Sequence, residues 1–163
     1  MSDPTRRVLV VCTANICRSA MAGVFLREHL RAAGLAHVAV SSAGTHAQAG
    51  RPALPAAVTA VAAIRGSLQG HVSTPLDIVS AREADLILCA AGDHRRHITS
   101  WWPDVPADRV RLFNEPIAGA APPDVDDPYG WDDELFLLAA RVIDRAMAAW
   151  AHELADRWPA RGS

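Results

Sequence analysis

The stretch VLVVCTANICRSAM, Val8 to Met21, places a thiol, a guanidinium and a hydroxyl close together in the chain. An apolar run stops at Cys12, Arg18 follows six positions later, and a helix is predicted from Ser19. A strand–loop–helix turn can aim several backbone N–H groups at one point. The helix start adds the positive end of its dipole. Together they make a site for a tetrahedral oxyanion. Arg18 adds a planar fork suited to two phosphate oxygens. Cys12, at the base of this cradle, would have its thiolate stabilised by the same donors. Such a thiolate is a nucleophile aimed at phosphorus. The phosphate loop of nucleotide-binding proteins needs Gly and Lys at set positions, and this loop has neither.

A phosphate ester also needs a proton for its leaving group, and later an activated water. Asp124, Asp126 and Asp127 crowd a late loop. Asp127 is the candidate acid because Pro128 follows it, which favours an extended backbone. Asp126 is its local competitor. Asn15 is a candidate for the left-handed backbone region, which Asn tolerates better than most residues.

These residues need a frame. Arg7–Val11 reads as a buried parallel strand, because the run is apolar without alternation. Further strands are predicted over Val38–Ser42, Ala84–Cys89 and Arg109–Leu112. Helices are predicted over Ser19–Ala33, Pro55–Ile64, Pro75–Ala81, Asp93–Trp101 and Asp132–Trp158. A loop rich in Pro, Gly and Asp runs from Asn114 to Gly130. The alternation predicts an α/β fold: a single domain over residues 1–163, with a four-stranded parallel twisted sheet and helices on both faces. Residues 1–5 and 159–163 are expected to be flexible. The active site of such a sheet lies beyond the carboxyl ends of its strands, where Cys12 and the long loop both fall.

Half of the 163 residues are hydrophobic and about a fifth are charged, so the chain should bury an ordinary core. A net charge of −2 argues against bulk binding to nucleic acid or to anionic membranes. No apolar run reaches the ~18 residues of a membrane span, and a cytoplasmic protein is expected. Three cysteines, Cys12, Cys17 and Cys89, do not suggest a disulfide scaffold. There is no Cys-x-x-Cys, so neither a metal site nor a cofactor is expected. His94 and His97, with arginines between them, read as a solvated helix face. Trp101 and Trp102 read as helix-end packing, and Cys89 as core.

The string CTANICRS resembles the phosphate-binding loop of the low-molecular-weight protein tyrosine phosphatases, residues Cys12 to Ser19 here. SSAGT (Ser41–Thr45), ADLILC (Ala84–Cys89) and DDPYG (Asp126–Gly130) resemble further motifs of that family, in the same order. The resemblance implies a phosphomonoester hydrolase working through a phosphocysteine, with Cys12, Arg18 and Asp127 catalytic. Thr13, Ala14, Asn15, Ile16, Cys17 and Ser19 would form or support the phosphate loop. Asn15 would be held by Ser19, Ser42 and His71. The Ser19 hydroxyl would also stabilise the Cys12 sulfur as a leaving group. Tyr129 would line one wall of the pocket, and Cys17 would be the redox partner of Cys12. The implied partners are a phosphorylated protein or a small aryl phosphate, with inorganic phosphate as product, in a monomer or weak homodimer.

The sequence leaves the family pattern in places. Ala14 stands where many relatives have Gly, Ala20 where Pro is common, and Gly23 where an acidic residue is common. Gln48 or His46 is expected where relatives carry an aromatic residue at the mouth. Gly130 follows Tyr129 in place of a second aromatic, with Trp131 next. Two other readings compete. A thioredoxin-coupled arsenate reductase shares this loop but needs two more redox cysteines after the third strand, where only Cys89 stands. A non-catalytic oxyanion-binding module would be expected to lose the cysteine, the arginine or the acid, and all three are present.

Overall fold

The structure is a computed structural model, and it describes residues 5–117, 119 and 124–160. Strand β1 (Arg7–Cys12) leads through a short loop to α1 (Arg18–Ala32), then to β2 (Ala39–Gly44) and α2 (Pro55–Ile64). Next come α3 (Ile78–Glu83), β3 (Leu86–Cys89), α4 (Gly92–Trp101), β4 (Val110–Leu112) and the long α5 (Asp133–Arg157). The four strands form one parallel sheet in the order β2-β1-β3-β4. The predicted architecture is therefore present. Most of residues 1–5 and 159–163 lie outside the described residues.

Period-two alternation divides the core. Val8, Val10 and Leu88 face α1 and α5, where Phe25, Met147 and Trp150 are buried. Leu9, Val11 and Ile87 face the other side and pack with Ala81 and Ile98. Trp150 satisfies its indole by donating to the carbonyl of Phe113, at 2.9 Å. The register sets Cys12 beside Gly44 and Val11 beside Cys89, so the strands' carboxyl ends share one edge.

One predicted helix moves. Pro75 and Leu76 precede α3 rather than starting it, and Pro75 instead makes a bridge with Gly44. Asp77 is the cap: its carboxylate accepts from the backbone N–H of Ser80 at 2.8 Å. Among the described residues no helix is long and apolar enough to cross a membrane.

Candidate active site

The loop between β1 and α1 is held from inside by Asn15, which is fully buried and left-handed at φ 58°. Its side-chain oxygen accepts from the N–H of Thr74 (2.9 Å), and its Nδ2 donates to Ser19 Oγ (2.8 Å). His71 Nε2 donates to the Asn15 carbonyl at 2.7 Å. Ser19 Oγ also lies 2.9 Å from Cys12 Sγ and 3.3 Å from the carbonyl of Ala43. Asn15, Ser19 and His71 thus meet in one network. Ser42 does not join it: among the described residues it makes no hydrogen bond to Asn15 or Ser19. Backbone groups of Ala43 and Thr74 take that place and already satisfy the hydroxyl and the amide.

Gly44 lets the loop settle on β2. A Cβ there would lie 2.4 Å from the Thr13 carbonyl oxygen and 2.9 Å from the Asn15 nitrogen. The N–H of Thr45 and of His46 donate to the carbonyls of Cys12 and Thr13, both at 2.9 Å. The N–H of Leu54, just before α2, donates to the Ile16 carbonyl at 2.9 Å. The loop is therefore clamped by two neighbouring elements.

Arg18 is buried, and its guanidinium reaches the acidic loop. Nη1 donates to the carbonyl of Val125 at 3.0 Å, and Nη2 lies 3.7 Å from Asp127 Oδ2. Asp127 is about half exposed, and its Oδ1 accepts from the N–H of Tyr129 at 3.1 Å. A cleft of about 170 Å³ is lined by Cys12 through Arg18 together with Leu54, Asp127 and Tyr129. Asp126, also exposed, does not line it. Asp124 instead accepts from the N–H of Gly92 at 2.9 Å.

Gln48 or His46 is expected at the mouth in place of an aromatic residue, and neither lines the cleft. Leu54 does. His46 is tied to Thr13 by its backbone, and its ring turns toward His97, 5.0 Å between centroids. Trp101 closes α4, about half exposed, and stacks on His97 at 4.5 Å.

Cys17 and Cys89 are both free and buried. Burial pushes the Cys17 thiol well above the ordinary cysteine range, and the negative charges of Cys12 and Asp127 add to the effect. Cys17 thus stays protonated at neutral pH although it shares a loop with Cys12. Burial raises Cys89 in the same way.

The expectation for His94 needs correction. It is not on a solvated face: it is 1 % exposed. Its Nε2 lies 2.8 Å from Thr13 Oγ1, and its Nδ1 accepts from the N–H of Ala91 at 3.1 Å. The signal was in the helical period. His94 precedes Ile98 by four residues, and Ile98 is the buried apolar position of α4. The flanking arginines masked it.

A buried arginine and a cysteine at the floor of one strand–loop–helix turn define a class of protein that handles tetrahedral oxyanions on a parallel α/β sheet. A family model described as low molecular weight phosphotyrosine protein phosphatase matches residues 7–159, and the chain belongs to that family. It is 35% identical over 148 residues to the low molecular weight protein-tyrosine-phosphatase Etp of Escherichia coli strain K12, covering 90% of this chain and 93% of Etp. Among solved structures, it is similar to Wzb of Vibrio vulnificus in complex with benzylphosphonate. There the TM-score is 0.82 with 30% identity, covering 93% of this chain and 100% of that one. It is also similar to a mutant of the arginine phosphatase YwlE that carries a phosphorylated active-site serine. There the TM-score is 0.86 with 29% identity, covering 95% of this chain and 99% of that one. The arsenate reductase reading is not favoured by these relatives.

Proposed function

We propose that this chain hydrolyses the phosphotyrosine of a phosphorylated protein, or a small aryl phosphate, through a phosphocysteine on Cys12. The observation that carries the reading is the convergence in one cleft of Cys12, buried Arg18 and Asp127. Phosphate oxygens occupy the loop N–H groups, and Arg18 turns its fork onto two of them. The Cys12 thiolate forms a bond to phosphorus as the bond to the aryl oxygen breaks. Asp127 gives its proton to that oxygen. Asp127 then takes a proton from water, whose oxygen attacks phosphorus. The S–P bond breaks, and inorganic phosphate leaves.

Ser19 suits the sulfur's changes of state. Its oxygen accepts from Asn15, so its single proton goes either to Ala43 or to Cys12. Opposite a thiol it donates to the carbonyl. Opposite a thiolate, or a departing sulfur, it turns to Sγ. Cys17 is the candidate partner when Cys12 is oxidised: a sulfenic acid on Cys12 condenses with the Cys17 thiol to a disulfide and water. Three free cysteines fit a reducing cytoplasm.

Apolar walls from Ile16, Leu54 and Tyr129 favour an aromatic ester over a cationic one. The test is turnover of para-nitrophenyl phosphate, phosphotyrosine peptide and phosphoarginine by wild type and Cys12→Ser. Aryl turnover in wild type and none in Cys12→Ser is expected. No aryl turnover by reduced wild type would sink the reading, and faster phosphoarginine turnover would redirect its substrate.

A further inference from the structure

The turn that leads from β3 into α4 touches both halves of the cleft. The Ala90 carbonyl accepts from Val125 N–H at 2.7 Å, and Gly92 N–H donates to Asp124 at 2.9 Å, so this turn docks the acidic loop. Two residues further on, His94 reaches the phosphate loop at Thr13. Arg18 lies between, with Nη1 on Val125 and Nη2 3.5 Å from Thr13 Oγ1. The contacts form a closed ring: Arg18, Val125, the α4 turn, His94, Thr13 and back to Arg18.

The ring fixes protons. Ala91 N–H donates to His94 Nδ1, so that nitrogen carries a lone pair. The neutral imidazole then has its proton on Nε2 and donates it to Thr13 Oγ1. Burial is the main cause that lowers the His94 pKa, to about 4. Arg18 and His97 push the same way, while Asp93 and Asp124 oppose. The imidazole is thus neutral at neutral pH.

We propose that His94, as the neutral Nε2–H tautomer, is a positioning residue that holds the Thr13 hydroxyl and, through it, the Arg18 guanidinium in register with the acidic loop. It rests on the reading of Arg18 as the phosphate clamp. With His94 in place, Thr13 Oγ1 presents a lone pair to Arg18 Nη2. Without it, the hydroxyl is free to rotate, and one edge of the guanidinium loses its stop. The fork would then have to be ordered by the phosphate itself, at a cost in affinity.

The experiment measures inorganic phosphate affinity by calorimetry, and kcat and KM on an aryl phosphate. The proteins are wild type, His94→Ala, His94→Gln, Thr13→Val and the double variant His94→Ala/Thr13→Val. A lost hydrogen bond in a charged network predicts about tenfold weaker phosphate binding in His94→Ala, with kcat lowered by a similar factor. His94→Gln can place an amide N–H near the same oxygen and should recover most of the loss. Thr13→Val should match His94→Ala, and the double variant should be no worse than either, because both cut one link. Wild-type phosphate affinity in folded His94→Ala overturns the proposal, as does a double variant whose losses multiply. If His94→Ala does not fold, wild-type affinity in Thr13→Val overturns it. A wild type that binds phosphate but hydrolyses no aryl ester refutes the hydrolase reading alone, and the phosphate affinities still decide the role of His94.

Discussion

The phosphate loop and the acidic loop share one cleft and are built in opposite ways. Asn15 and Ser19 are sealed, and the loop is tied to β2, to α2 and to residues 71 and 74. The acidic loop is pinned at Val125 and Asp124, and beyond them Asp127 and Tyr129 stand exposed. The contrast follows from the chemistry each must do. A nucleophile and its anion cradle gain from donors fixed in advance, which need no reorganisation as charge moves. A proton donor must reach leaving groups of different size, so it needs room. Removing a side chain should therefore mean different things in the two loops.

The largest effect belongs to the acid. Asp127→Ala should slow kcat by about 10²–10³-fold for esters with poor leaving groups. It should slow it far less for nitrophenol, which leaves without help. Asp126→Ala should stay near wild type on both. If a leaving-group series shows the reverse pattern, the proton comes from Asp126.

Two glycines test rigidity next. Gly44 has no room for a Cβ, and the obstructing atoms include backbone of the phosphate loop. Gly130, in the acidic loop, has φ 81° and nothing within 4 Å. Gly44→Ala should push the loop out of shape, with at least a tenfold loss of phosphate affinity, roughly what a broken charged hydrogen bond costs. Gly130→Ala should cost only the ~1 kcal/mol of a left-handed non-glycine residue, seen in thermal unfolding with little change in phosphate binding. Equal losses in both readouts would show that the acidic loop is as tightly constrained as the other.

The same contrast governs what could be read in advance. The strands, α2 and the ends of α1 and α5 were legible within a residue or two, because apolar runs, Gly34 and Pro159 mark them directly. Cys12, Arg18 and Asn15 were legible because they stand in the long string CTANICRS, which is far more specific than a cysteine and an arginine six positions apart. What escaped depends on the approach of distant segments. Ser42 has the right type, but backbone of Ala43 and Thr74 does the work, and backbone leaves no mark in the sequence. Leu54 looks like any helix-start leucine until α2 swings it to the cleft. His94 was hidden among charges although its spacing to Ile98 gave its face away.

The smallest effect is a slope in stability with pH. The His94 pKa is about 4 in the native chain and ~6.5 in an unfolded one. Between these values the unfolded chain binds a proton that the folded chain refuses. Stability therefore rises with pH from about 4 to ~6.5 and is flat above, as far as this group is concerned. The slope is at most about 1.4 kcal/mol per pH unit for one proton. Denaturant titrations of wild type and His94→Gln across this window isolate it: the difference between the two should narrow or change sign as pH falls, because glutamine has no proton to refuse. Parallel curves would mean that the imidazole is reached by solvent or already charged. The phosphate loop would then share the openness of the acidic one at its back wall.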